Sequence, residues 1–467
     1  MKETLPQPLV MPLNKFLPAL FRALSDGGVH YCVLRGYEKF PDYNTGRDVD
    51  LLVRASDLPL AIRILRSIPG VRVVGYFARP YVASVFLQGI SSPPKARALQ
   101  IDCDLSLTWK GLAYLPADTV LQNALLHPAG NSTLFVPSPV HEAITSLLAS
   151  LLIGGFVKEK YFLQVQRTFV RERAEVIAAM LPQFGAKVTT RLVDSVIGGD
   201  REKILGCVRA LRTSLVLRNL LRAPFHCALA VARHYAKEFE VRYLPGLLVT
   251  VCILSPESCD STTVIETLMP ILQFSAVKVE KRSFWPDSSC KCDFSKNDED
   301  SNSNSGARKS SLASMATVGR WLAEEWLSRF QKNFALRLIE SDSRDLMTNQ
   351  KWRRYRVPQW FAWLVGKMLP SPDLWILLDP AVGGIQSSNH EAIPAQLLRQ
   401  LEACRSFVKT RNRFVILDAD KPATRVAEDA YSAIIDFLAL RADWLLKDQF
   451  PFRSISVSKK RFTQSSD

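Results

Sequence analysis

The chain has 467 residues, 47% of them hydrophobic and 22% charged, with a formal net charge of +15. That is an ordinary globular composition, and the length suits two or three domains of roughly 100–200 residues each. No apolar run reaches the roughly 18 residues that a membrane-spanning helix needs.

The N-terminus, MKETLPQPLVMPLN, carries Glu3 and three prolines where a signal peptide needs an apolar core, so a cytoplasmic protein is expected. Asn14 to Leu24 is predicted to form an amphipathic helix ended by Gly27 and Gly28. Val29 to Leu34 is a predicted strand, followed by a turn at Arg35 and Gly36, a loop, and a second strand from Val49 to Val53. A helix over Leu58 to Ser67 and strands at Val71 to Phe77, Val82 to Leu87 and Ala98 to Leu105 complete an α+β unit filling residues 1–135.

From 136 to 242 the apolar residues recur at three and four, which predicts a helical connector. The longest apolar run, Ile144 to Val157, contains Gly154 and Gly155 and reads as a buried helix. After Pro245 the pattern becomes α/β. Gly246 to Leu254 (GLLVTVCIL) suits a strand buried on both faces, and further strands are expected at Ala276 to Val279, Leu374 to Leu378 and Phe414 to Leu417. Helices at Thr262 to Leu272, Leu312 to Phe330, Ala395 to Val408 and Ala423 to Leu440 alternate with them, giving a parallel sheet within 243–445. Residues 286–311 are too polar to pack and are expected to be a mobile loop, and 446–467 a basic flexible tail.

Nine cysteines without paired CxxC spacing read as reduced thiols. Cys290 and Cys292 alone are too few for a metal site. Of the six histidines, His141 reads as a cap or packing residue, and His226 with His234 lacks a carboxylate to complete a metal site. The excess of positive charge favours polyanionic partners: nucleotide, nucleic acid or an anionic lipid surface. Trp352 and Tyr355 interleave with arginines in KWRRYR, a pattern suited to stacking on bases or to a plain solvated face. Binding to nucleic acid rests on charge alone and requires an affinity that falls with salt.

The chemistry concentrates in GRDVDLLV, residues 46–53. Side chains alternate along a strand, so Asp48 and Asp50 emerge on one face, and two like charges so close need a cation. Magnesium, which takes oxygen ligands and keeps places for water and phosphate, compensates them well. The order of helix, strand, Gly36 turn (VLRGYEKFP), loop and D-x-D at the head of the next strand resembles the nucleotidyltransferase superfamily, the polymerase-β-like fold. That family adds a third carboxylate from a later strand, and QIDCDLSLTW supplies Asp102, with Asp104 on the same face as the alternative. The resemblance implies that Asp48, Asp50 and Asp102 are catalytic and hold two Mg²⁺ ions, with the third aspartate activating an acceptor hydroxyl. It also implies that Gly36 approaches the triphosphate of a nucleoside triphosphate donor. Tyr37 stands where the family has Ser, removing a phosphate-binding hydroxyl that Arg35 or Arg47 would replace electrostatically.

DLSLTWKGLAYLP and VPSPVHEAITSLLASLLIGGFVKEKY resemble bacterial two-part proteins found with surface-polysaccharide genes, which join such a half to a thymidylate-kinase-like half. The second half carries that resemblance in LPSPDLWILLDP and RFVILDADKPATRVAEDAYSAI. Its counterpart of the P-loop, SPESCDSTT, has lost the glycines and the lysine, with Ser255, Asp260 and Ser261 in their places. Only Thr262 keeps a potential Mg²⁺-binding hydroxyl, and Glu340 with Ser341 replaces the family's Asp-Arg. A kinase fold without kinase activity is expected, with Arg353 and Arg354 left to bind a phosphorylated ligand. The functional expectation is therefore a Mg²⁺-dependent nucleotidyltransferase acting on a hydroxyl of a sugar, small molecule or protein. The competing expectation is a non-catalytic nucleotide- or partner-binding protein, and a role in surface polysaccharide synthesis is implied by the resemblance alone.

Overall fold

The computed structural model describes residues 13–38, 40, 48–89, 98–130, 132–243, 248–255, 261–273, 278–283, 315–316, 318–320, 322–328, 335–342, 364, 368, 371–380 and 395–449. The expected mobile loop 286–311, Arg47, Arg353, Arg354 and the tail beyond 449 lie outside them.

α1 (Leu13–Asp26), β1 (Tyr31–Val33), β2 (Asp48–Val53), α2 (Leu58–Ser67), β3 (Val71–Arg79), β4 (Val82–Gly89) and β5 (Ala98–Asp104) follow one another in the N-terminal part. The strands form a mixed five-stranded sheet in the order β1-β2-β5-β4-β3. β2 and β5 run parallel at its centre, and the other neighbours pair antiparallel. α1 and α2 present Phe16, Leu20, Ile62 and Leu65 to a core shared with Val33, Leu51, Val85 and Ile101 of the sheet. Two short hairpins that the alternation pattern did not reveal come next. They are β6 (Leu107–Trp109) with β7 (Leu112–Leu115), and β8 (Leu125–Ala129) with β9 (Ser132–Val136), separated by α3 (Ala117–Gln122).

The helical segment begins at α4 (Pro139–Ala149), where Pro139 opens the helix and the Ser138 hydroxyl accepts the backbone N–H of His141. It continues through α5 (Glu159–Arg171), α6 (Arg173–Phe184), α7 (Ala186–Ile197), α8 (Arg201–Gly206), α9 (Val208–Arg222) and α10 (Pro224–Tyr243). Their apolar stripes bury Ile144, Phe169, Val193 and Leu211 against Cys32 and Leu52 of the first sheet.

β10 (Leu248–Ser255), α11 (Ser261–Gln273), β11 (Val279–Ser283), β12 (Ala335–Asp342), β13 (Leu374–Asp379), α12 (Ala395–Lys409), β14 (Phe414–Asp418) and α13 (Ala423–Gln449) make the C-terminal part. Its five strands are all parallel, in the order β11-β12-β10-β13-β14. All eight residues of β10 are buried, as a central strand covered on both faces must be. β12 was not legible as a strand, because Arg337, Glu340 and Asp342 interrupt its apolar residues. Arg337 is wholly buried, and its guanidinium bonds to Glu325 (2.7 Å), Ser328 (2.8 Å) and Glu280 (3.3 Å).

α13 is longer than its pattern suggested and ties the two halves together. Val426, Ala430 and Ile434 lie in the core of the parallel sheet, together with Val74, Phe77 and Phe86 of the first sheet. Further on, Ala442 and Leu446 enter the core of the first sheet. Leu446, expected at the start of a flexible tail, is wholly buried. Asp436 pairs with Arg72 and Asp443 with Arg66 across the same contact. Six cysteines among the described residues are free thiols, all buried. No helix among those residues is long and apolar enough to cross a membrane.

Candidate metal centre

Strand register assembles the site. Asp50 of β2 lies directly beside Asp102 of β5, and Asp48 beside Gln100. Successive side chains alternate faces, so Asp48, Asp50, Gln100 and Asp102 share one face where the two parallel strands touch. One carboxylate oxygen from each of Asp48, Asp50 and Asp102 lies within 4.8 Å of the others. Ser84 of β4 is paired with Asp102 from the other side. Its hydroxyl donates to Asp102 Oδ1 at 2.6 Å, and the Gln100 amide donates to both Asp102 oxygens at 2.9 and 3.0 Å.

The electrostatics follow from this crowding. Burial pushes the Asp102 carboxyl above the usual range; Ser84 and Gln100 pull it down, and the negative charges of Asp50 and Asp48 push it up again. Asp104, two residues along, lies outside the trio and is driven further up by burial, then by Asp50 and Asp102. Arg35, from the turn after β1, donates through Nε to Asp50 Oδ2 at 2.5 Å. Burial opposes its charge, but the ion pair with Asp50 prevails and raises its pKa. Lys158, the residue before α5, is held below the ordinary lysine range by burial and by Arg35, while Asp50 and Asp48 act the other way. Its ammonium thus lies within electrostatic reach of the acids, which nothing in the local sequence signalled.

Gly36 adopts φ +73°, a left-handed turn that glycine takes without strain. The Tyr37 side chain turns into the core: its hydroxyl donates to Glu142 Oε2 of α4 at 2.7 Å, and its ring meets His127 edge-on at 4.9 Å.

Three carboxylates on one face form an all-oxygen, hard donor set, which suits Mg²⁺ or Mn²⁺ and gives no thiolate or imidazole for softer metals. The arginine on Asp50 offsets part of the negative charge gathered on this face.

No protein-family model and no curated protein matches this chain.

In the C-terminal part, Ser261 and Thr262 begin α11, and both hydroxyls donate to Glu340 Oε1, at 3.0 and 2.7 Å. Lys281 pairs with the other oxygen at 3.2 Å. Burial opposes the Glu340 charge, but the hydrogen bonds from Thr262, Lys281 and Ser261 prevail and hold its carboxyl below the usual range. The Thr262 hydroxyl is therefore committed to a carboxylate of its own chain. At the C-terminal end of β13, the buried Asp379 takes two hydrogen bonds from Arg405, at 2.5 and 2.9 Å.

Proposed function

We propose that the N-terminal half is a Mg²⁺-dependent nucleotidyltransferase, moving a nucleotidyl group from a nucleoside triphosphate to a hydroxyl acceptor. The observation that carries this reading is the convergence of Asp48, Asp50 and Asp102 to within 4.8 Å from two parallel strands in register. A bound divalent cation would neutralise phosphate charge and acidify the attacking hydroxyl. Asp48, Asp50 and Asp102 would hold it. Asp102, fixed by Ser84 and Gln100 and made more basic by burial, would take the hydroxyl proton. Arg35 and Lys158, the cations beside these acids, would offset the charge of the triphosphate as it loses pyrophosphate.

The test is pyrophosphate release from each nucleoside triphosphate with Mg²⁺, against sugar and protein acceptors. D48N and D50N should each lower turnover by about a hundredfold or more while melting like the wild type. Undiminished turnover in D50N would remove the reading.

A second reading, a binding protein without turnover, is favoured by two observations. Tyr37 spends its hydroxyl on Glu142, and Thr262 spends its own on Glu340. It requires nucleotide binding at about micromolar affinity with no pyrophosphate released for any acceptor. For the C-terminal half we read a thymidylate-kinase-like fold without kinase activity. The parallel sheet with its first strand at the centre supports the fold, and the carboxylate of Glu340 at the α11 N-terminus, where a phosphate would need positive surroundings, supports the inactivity. A place in surface polysaccharide synthesis rests on the sequence resemblance alone.

A further inference from the structure

The corner between α9 and α10 leaves apolar side chains uncovered. Leu221 and Phe225, on either side of it, are 82% and 89% exposed. Leu217 and Leu220 on α9 and Leu229 on α10 extend the patch, all between 45% and 51% exposed. These positions lie opposite the stripe that buries Leu211, Leu215 and Cys227, so the two helices are apolar on both sides. Such a surface on a water-soluble face is costly unless something covers it.

The charge around it identifies what does. From Lys203 to Lys237, 35 residues, the sequence holds seven Lys and Arg and no Asp or Glu. Arg222 and Arg233 are exposed and, with Arg218, form no ion pair among the described residues. An apolar tip ringed by unpaired cations fits a surface with an apolar interior and an anionic skin. We propose that the α9–α10 corner docks on an anionic lipid bilayer surface, with Leu221 and Phe225 entering the headgroup boundary and Arg218, Arg222 and Arg233 meeting lipid phosphates or carboxylates. A second copy of the chain would bring the same cations face to face. Nucleic acid would leave the leucines without a role, because bases stack on aromatic rings and not on aliphatic chains. The corner binds the membrane from outside, since neither helix is apolar enough to cross it.

The surface also bears on the proposed metal centre. α10 lies against the β6–β7 hairpin that follows β5, with a Cβ on Gly111 falling 2.5 Å from the Ala230 carbonyl oxygen and Lys110 Nζ 5.5 Å from the Tyr235 ring. The docking does not depend on nucleotidyl transfer, so its test needs no turnover.

The experiment is sedimentation of the full chain with vesicles of phosphatidylcholine alone or mixed with phosphatidylserine. The wild type should pellet with the mixed vesicles only, and less so as salt rises. L221D/F225D and R222E/R233E, all surface changes, should keep the wild-type melting temperature and partition about tenfold less or weaker. Equal pelleting of wild type and variants, no pelleting at all, or a loss confined to binding of a single-stranded oligonucleotide would each overturn the proposal.

Discussion

Asp102 sits where burial and two neighbouring carboxylates all oppose its charge. A carboxyl raised in the folded protein contributes stability below its ordinary value of about 3.9 and loses it as pH rises through the raised value. D102N should therefore melt higher than the wild type at pH 7 without metal, with the gap closing toward pH 4. Added Mg²⁺ should raise the wild-type melting temperature and leave D102N unmoved, which thermal melts at the two pH values would show. Tyr37 makes a different prediction. Y37F removes a hydroxyl that donates to the buried Glu142 carboxylate, and chemical denaturation should register a loss of about 1–2 kcal/mol. At this scale the acids were legible, because the two-residue period put Asp48 with Asp50, and Asp102 follows an apolar core residue. Ser84 was not, since its place beside Asp102 depends on the β4–β5 register. Lys158 was not either, because only the packing of the helical segment brings it near.

Among the elements, β12 is held by an unusual bargain. Its Arg337 is fully buried between Glu325 and Glu280, and removing the guanidinium would leave the buried Glu325 with only Arg282, 3.6 Å away, and Glu280 with only Lys278. R337M should cost about 3–5 kcal/mol in urea denaturation, well beyond an average core change. The same polar residues hid β12 from hydrophobic periodicity, whereas β10, with no charge in eight residues, could be read directly. The hairpins β6–β7 and β8–β9 escaped for a related reason: strands of three to five residues are too short for alternation to stand out. α11 was legible as a helix. The engagement of its first hydroxyls was not, because Glu340 reaches them from a strand whose pairing no local pattern encodes.

Across the whole molecule, α13 joins what the sequence reading divided into separate domains. Its 27 residues span about 40 Å and contribute to the cores of both sheets. Calorimetry of the full chain should give one cooperative transition, and deletion of 423–449 should lower the melting temperature of the N-terminal half, because Leu446, Ala442 and the Arg66–Asp443 pair go with it. Two resolved transitions, with the N-terminal one unaffected by the deletion, would show that the shared helix couples nothing. The three-aspartate cluster lies in the β2–β5 seam of that same sheet, so its geometry is fixed by long-range pairing and not by any loop. Titration of Mn²⁺ into the full chain by isothermal calorimetry, beside D50N and D102N, tests that centre most directly. Saturable binding to the wild type, lost or weakened by about tenfold or more in both variants, is the predicted result. Identical isotherms for all three proteins would contradict it.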